Sequence, residues 1–135
     1  MSWKKTLEEA RPDAEQLSRL TDDLNAAIAS VEKVFVAQNF GVSASVTFQC
    51  DGLDYELWYG KHMSSWGLFV NGDCGKCALL SAPRSLRVEA VRHLDALARA
   101  MVSEVGRQVA EVSGALLDVV ALTSELSRAG AAGDE

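Results

Sequence analysis

Apolar residues recur at every second position between Val42 and Ser81, and at every third or fourth position on either side of that stretch. The period of two predicts strands in the centre, and the longer period predicts helices on both flanks. Val42, Ala44, Val46, Phe48 and Cys50 fall on one face of a first strand, and Ser43, Ser45, Thr47 and Gln49 on the other. Asp51-Gly52 supplies the two positive-φ residues of a tight hairpin. The resulting register sets Cys50 opposite Leu53, Phe48 opposite Tyr55, Val46 opposite Leu57 and Ala44 opposite Tyr59, so both strands turn their apolar residues to one side. After a loop over Gly60 to Ser65, Trp66 to Val70 reads as a third strand. Asn71-Gly72-Asp73 ends it, and Ala78-Leu79-Leu80 reads as a short fourth. The centre is therefore a three- or four-stranded antiparallel meander over 42–81.

On the N-terminal side, residues 1–12 read as a charged lead-in. Thr6 to Glu9 fits a capping box, but Pro12 is expected to interrupt any helix running through it. Trp3 is expected to fold back on the body. From the N-cap Asp13 to about Gln38, the residues Leu17, Leu20, Leu24, Ala27, Val31 and Val34 make an amphipathic helix that Gly41 terminates. Its stripe suits the core face of the sheet, and its spacing also suits a coiled-coil seam.

On the C-terminal side, Pro83 and Ser85 open a helical stretch over 85–128. Its stripe includes Val88, Val91, Leu94, Met101, Val105, Val109, Val112, Leu116, Val119 and Leu126. One helix of that length would span roughly 65 Å at ~1.5 Å per residue, more than a small sheet covers. It is expected either to break at Ser113-Gly114 and return as a hairpin, or to project and pair with a second copy. Gly106 is a second weak point. Pairing is the favoured reading, with Met101, Val105, Val109, Val112, Leu116 and Val119 as the dimerisation surface. Residues 129–135, AGAAGDE, read as a disordered tail. The fold expected is thus α+β in a single domain: N-terminal helix, antiparallel meander, long C-terminal helix or helical hairpin.

Charge narrows the partners. The 135 residues carry a formal net charge of −6, which disfavours nucleic acid and anionic membranes, both of which attract basic surfaces. No apolar run approaches the ~20 residues of a membrane-spanning helix. The N-terminus has no apolar segment of secretory type, and the 3 cysteines cannot all pair within one chain. A reducing cytoplasm is the expected setting.

Candidate chemistry is sparse. Cys74-Gly75-Lys76-Cys77 has the spacing of a zinc knuckle or redox pair, and Cys50 is a third thiol. His62 lies at the opposite end of the expected sheet, about six residues or roughly 20 Å away, too far to join them. A metal set of Cys50, Cys74 and Cys77 with Asp51 or Asp73 remains as the alternative. The reading favoured is no cofactor, with Cys50 a small core residue and the pair incidental to a tight loop. His93 beside Arg92 and Asp95 reads as a solvated helix residue. Glu8-Glu9 and Asp22-Asp23 have nothing to desolvate them, so neither pair reads as an acid and base. No serine sits in a nucleophile elbow, and the Gly-rich turn lacks P-loop spacing. Arg84, Arg87, Arg92 and Arg99 are expected to form salt bridges with Glu89, Asp95 and the first helix.

The strongest binding candidate is aromatic. Trp58 and Phe69 fall on the otherwise polar sheet face, with Glu56 beside them, and Gly67 is expected to leave room for the Trp58 ring. Their cover is either the second half of the C-terminal helix or another subunit. The functional expectation is a non-enzymatic, acidic adaptor, chaperone-like or inhibitor protein that binds another protein as a helix-mediated homodimer. The alternative is a metal- or thiol-dependent regulator using Cys50, Cys74 and Cys77. In size, acidity and α/β make-up the chain resembles small secretion chaperones, but its long helical C-terminal third departs from their alternating pattern.

Overall fold

A computed structural model describes residues 2–73 and 75–133, with side chains through residue 130. The chain runs α1 (Trp3–Ala37), β1 (Ala44–Cys50), β2 (Leu53–His62), β3 (Ser65–Gly72), β4 (Gly75–Ala78), a 3-10 turn (Leu79–Ser81), α2 (Arg84–Val91) and α3 (Leu94–Gly133). The four strands lie in the order β1-β2-β3-β4 as an antiparallel meander, so the protein is α+β. Among the described residues no helix is long and apolar enough to cross a membrane.

The first hairpin has the register its turn chemistry predicts, from Cys50↔Leu53 to Ala44↔Tyr59, with Asp51 at φ 51° and Gly52 at φ 77°. The second hairpin differs from expectation. Gly60, Lys61 and His62 continue β2 rather than forming a loop, and the turn is Met63-Ser64, both at positive φ without glycine. β4 likewise comes earlier than expected, at Gly75–Ala78, which leaves Leu79 and Leu80 in the 3-10 turn.

Both long helices lie on the apolar face. Ile28, Phe48, Leu57, Tyr59, Leu68, Val70, Leu79, Leu86, Leu97 and Met101 form the centre of the core. α1 crosses β3, with Phe35 against Tyr59 at 5.5 Å between ring centroids and the Tyr59 hydroxyl donating to the Phe35 carbonyl at 3.3 Å. Burial, and next the Glu32 charge, push the Tyr59 phenol pKa up, so this hydroxyl keeps its proton to donate. α2 and α3 pack over β1, α3 extending to β2.

Four expectations about the helical flanks are corrected. α1 is one helix of 35 residues that runs straight through Pro12. The proline leaves the Glu8 carbonyl without an amide partner, but that turn is exposed, so water can take the missing donor's place. Trp3 does not fold back; it stands exposed at the far end of α1 with Lys4 over its ring. The C-terminal stretch breaks at Arg92-His93, not at Gly106 or Gly114, and α3 continues to Gly133 where a disordered tail was expected. Residues 134–135 lie outside the described residues. At the break, the His93 ring stacks on Phe48 at 5.2 Å and its Nε2 lies 3.4 Å from Glu89. It is a packed residue rather than a solvated one.

The sheet's unpaired β3 edge is capped by a residue that the hydrophobic pattern did not single out. β4 pairs with β3 only from Phe69 to Gly72, so the Leu68 N–H has no strand partner. Glu32 of α1 reaches down and accepts this N–H at 2.9 Å, with Gly67 leaving room for its carboxylate. Glu32→Ala is expected to cost about 1–3 kcal/mol, because the part-buried amide loses a charged acceptor. Glu32→Gln, which keeps an acceptor oxygen, should cost less; urea unfolding of both variants measures the difference.

Candidate protein-binding surfaces

The outer face of the sheet carries no helix, and one aromatic cluster interrupts its polar character. β2 and β3 place Trp58 opposite Phe69, with ring centroids 5.3 Å apart. His62 meets the Phe69 ring edge-on at 5.2 Å, and Lys76 Nζ sits 3.3 Å above the Trp58 ring, a close cation–π contact. Neighbouring rings shield Phe69 to 8% exposure, while Trp58 is half-buried. Glu56 stands between Thr47 and Asn71, one step along β2 on the same face. Of the two covers expected for this pair, the C-terminal helix is ruled out, since α3 packs on the opposite face and then leaves the sheet.

The glycine that accommodates Trp58 is Gly60, not Gly67. A Cβ at Gly60 would lie 2.6 Å from Trp58 Cε2 and closer still to Cζ2, so the indole lies flat on that backbone. Gly60→Ala is expected to lift the ring and cost about 1–3 kcal/mol. The indole N–H resonance of Trp58 would then shift while the core aromatic resonances stay in place.

The two long helices form the larger surface. From Trp3 to Leu20 every residue of α1 is exposed, and so is every residue of α3 from Val109 to Gly130. The two helices overhang the sheet at opposite ends. α3 enters beside Phe48 and leaves past Phe40 and Val42, the end at which α1 finishes. In α3 the apolar face continues in two heptad columns beyond the sheet. Val102, Val109, Leu116 and Thr123 form one, and Val105, Val112, Val119 and Leu126 the other. The flanking positions Gly106, Gln108, Ser113, Ala115, Val120 and Leu122 are all uncharged. Glu104, Arg107, Glu111, Asp118, Glu125 and Arg128 fall on the far side, where Arg107 bridges Glu104 and Glu111. Hydrogen bonds from Arg107 and Gln108 hold the Glu104 carboxyl down at about 2. Met101 does not belong to the exposed seam. At 4% exposure it is packed in the protomer's own core, and Val105 is half-buried.

The cysteines do not converge. Cys50 is on β1 and Cys77 on β4, the two outermost strands, so at least three strand spacings, roughly 14 Å, separate them. Cys77 pairs with Val70, level with Leu57, and is not at the Asp51-Gly52 end. Cys74 lies outside the described residues. Among the described residues no group of His, Cys, Asp and Glu has the geometry of a metal site. Burial, and after it the charges of Asp51 and Glu89, push the Cys50 thiol pKa up, away from the thiolate that redox or nucleophilic chemistry needs. The basic cluster is engaged locally: Arg92 with Glu89, Arg99 with Asp95, and Arg87 with the carbonyls of Leu80 and Ala82. Arg84 lines a shallow groove with Leu17 and Asp22 of α1.

A cavity of about 310 Å³ opens between the Leu53 end of the sheet and α2, lined by Leu53, Tyr55, Val70, Cys77, Pro83 and Leu86. Its walls are apolar, and Asp54 and Asp73 at the rim are its only ionisable carboxylates among the described residues. Comparison with protein-family models, curated proteins and solved structures returned no match.

Proposed function

We propose that the protein is a non-enzymatic, cytoplasmic protein-binding adaptor, of chaperone-like or inhibitor type, that works as a homodimer joined through α3. The observation carrying this reading is the uncovered α3 seam, about 27 Å of helix from Val109 to Leu126 at ~1.5 Å per residue. An exposed apolar surface of that extent calls for a partner.

A second copy suits it for two reasons. The columns are rich in β-branched valine, which favours two-stranded pairing at one of the two seam positions. The positions flanking the seam carry no charge, so a copy of the same helix meets no like-charge repulsion there. Dimerisation would leave the outer sheet face, with Trp58, Phe69 and Glu56, free for a different protein. The net charge of −6 favours a neutral or basic one. Sedimentation equilibrium tests the reading: a dimer, twice the 14.5 kDa of one chain, is expected at micromolar concentration. A single species of one chain's mass at all concentrations would overturn it.

A further inference from the structure

The two edges of the sheet are treated differently. The β3/β4 side is blunted twice, by a β4 of only 4 residues and by Glu32 on the Leu68 amide. β1 has neither protection. It is 7 residues long, ASVTFQC, with no charged residue or proline and an unbroken register against β2.

The direction of its backbone groups follows from the turn. In a two-residue hairpin the pair next to the turn, here Cys50↔Leu53, exchanges both hydrogen bonds, and bonded and non-bonded pairs then alternate. Ala44, Val46, Phe48 and Cys50 therefore point their N–H and C=O groups at β2. Ser45, Thr47 and Gln49 point theirs outward. The same alternation, traced through the His62↔Ser65 turn, sends the Leu68 N–H to the outer side of β3, where Glu32 meets it. No hydrogen bond among the described residues reaches the outward backbone groups of Ser45, Thr47 or Gln49.

We infer that the free edge of β1 is a strand-addition site for an extended segment of a partner polypeptide. A row of alternating amide donors and carbonyl acceptors at strand spacing is matched by another extended backbone. The occupant is a bare segment and not the β1 of a second copy. α2 and α3 stand over β1, so two β1 strands paired at ~4.8 Å would bring two helix layers within about one strand spacing, whereas packed helices need 8–10 Å between axes. The added segment would place alternate side chains beside half-buried Val46 and Cys50 on the inner face, and the others beside exposed Ser45, Thr47 and Gln49. Its chemistry is thus an apolar/polar alternation of about five to seven residues without proline. This inference does not depend on the α3 dimer, because the edge and the seam are different surfaces.

The test is amide hydrogen exchange with a defined probe, a nine-residue peptide of alternating threonine and valine with a lysine at each end. At millimolar peptide the amides of Ser45, Thr47 and Gln49 are expected to slow at least tenfold, while those of Ala44, Val46 and Phe48, already bonded to β2, stay unchanged. The same peptide N-methylated at alternate residues cannot bond along that edge and should have no effect. Thr47→Pro removes one outward N–H without touching the β2 ladder and should abolish the slowing. Equal protection by the methylated peptide, or none by the unmodified one, would overturn the inference. So would protection of the three amides that rises with protein concentration alone, which would assign the edge to a second copy.

Discussion

Val112→Glu combined with Val119→Glu is expected to turn the proposed α3-joined dimer into a monomer. Both side chains lie in the same column of the α3 seam, and Val112 is 65% exposed in the single chain. Pairing would enclose four carboxylates per dimer in an apolar seam, where each must be desolvated without a counter-charge. A loss of at least 100-fold in association, equivalent to about 2.7 kcal/mol, is the minimum expected. Glutamate is a better helix former than valine, so the substitution does not itself break α3. Sedimentation of the variant at the wild-type concentration reads the result. If the variant remains dimeric, the seam is not the interface.

The second large effect lies at the other end of the same helix. Leu97 is 0% exposed, in the core with Met101 where α3 packs on β1. Leu97→Ala is expected to destabilise the fold by about 2–5 kcal/mol through lost burial and the cavity left behind. Leu117 is equally apolar but exposed and outside both seam columns, so Leu117→Ala should change stability by less than about 0.5 kcal/mol. Urea unfolding of the two variants compares a leucine that builds the protomer with one that does not.

The parts of this fold legible in the sequence are those where two local signals coincide. At Asp51-Gly52 the turn chemistry and the alternation on both sides demand the same register, and the structure has it. Where one signal stands alone, pattern and structure part. Met63-Ser64 forms the second turn with two non-glycine residues at positive φ, so no residue type announces it and the pattern ends β2 too early. Pro12 is a true helix breaker by local chemistry, yet both flanks stay helical. The break at Arg92-His93 has the opposite cause. Nothing in its residue types favours it over Gly106 or Gly114, and it coincides with a tertiary contact, His93 stacked on Phe48, a residue 45 positions away. Glu32 was illegible for a related reason: it sits next to Val31 of the apolar stripe, where a charged residue reads as the solvated margin. The aromatic cluster was legible in part. Trp58 and Phe69 follow from register, whereas the support of Gly60 and the Lys76 contact depend on rotamers that a pattern does not encode.

The overhang of α3 has a hydrodynamic consequence. A globular chain of this length has a radius of gyration of about 14 Å. A straight helix of 40 residues, about 60 Å long at ~1.5 Å per residue, has one of about 17 Å by itself. Even one chain is therefore a rod with a knob, and it will travel through a porous matrix like a considerably heavier sphere. Elution volume consequently exaggerates the subunit count, and only a shape-independent mass can establish the stoichiometry.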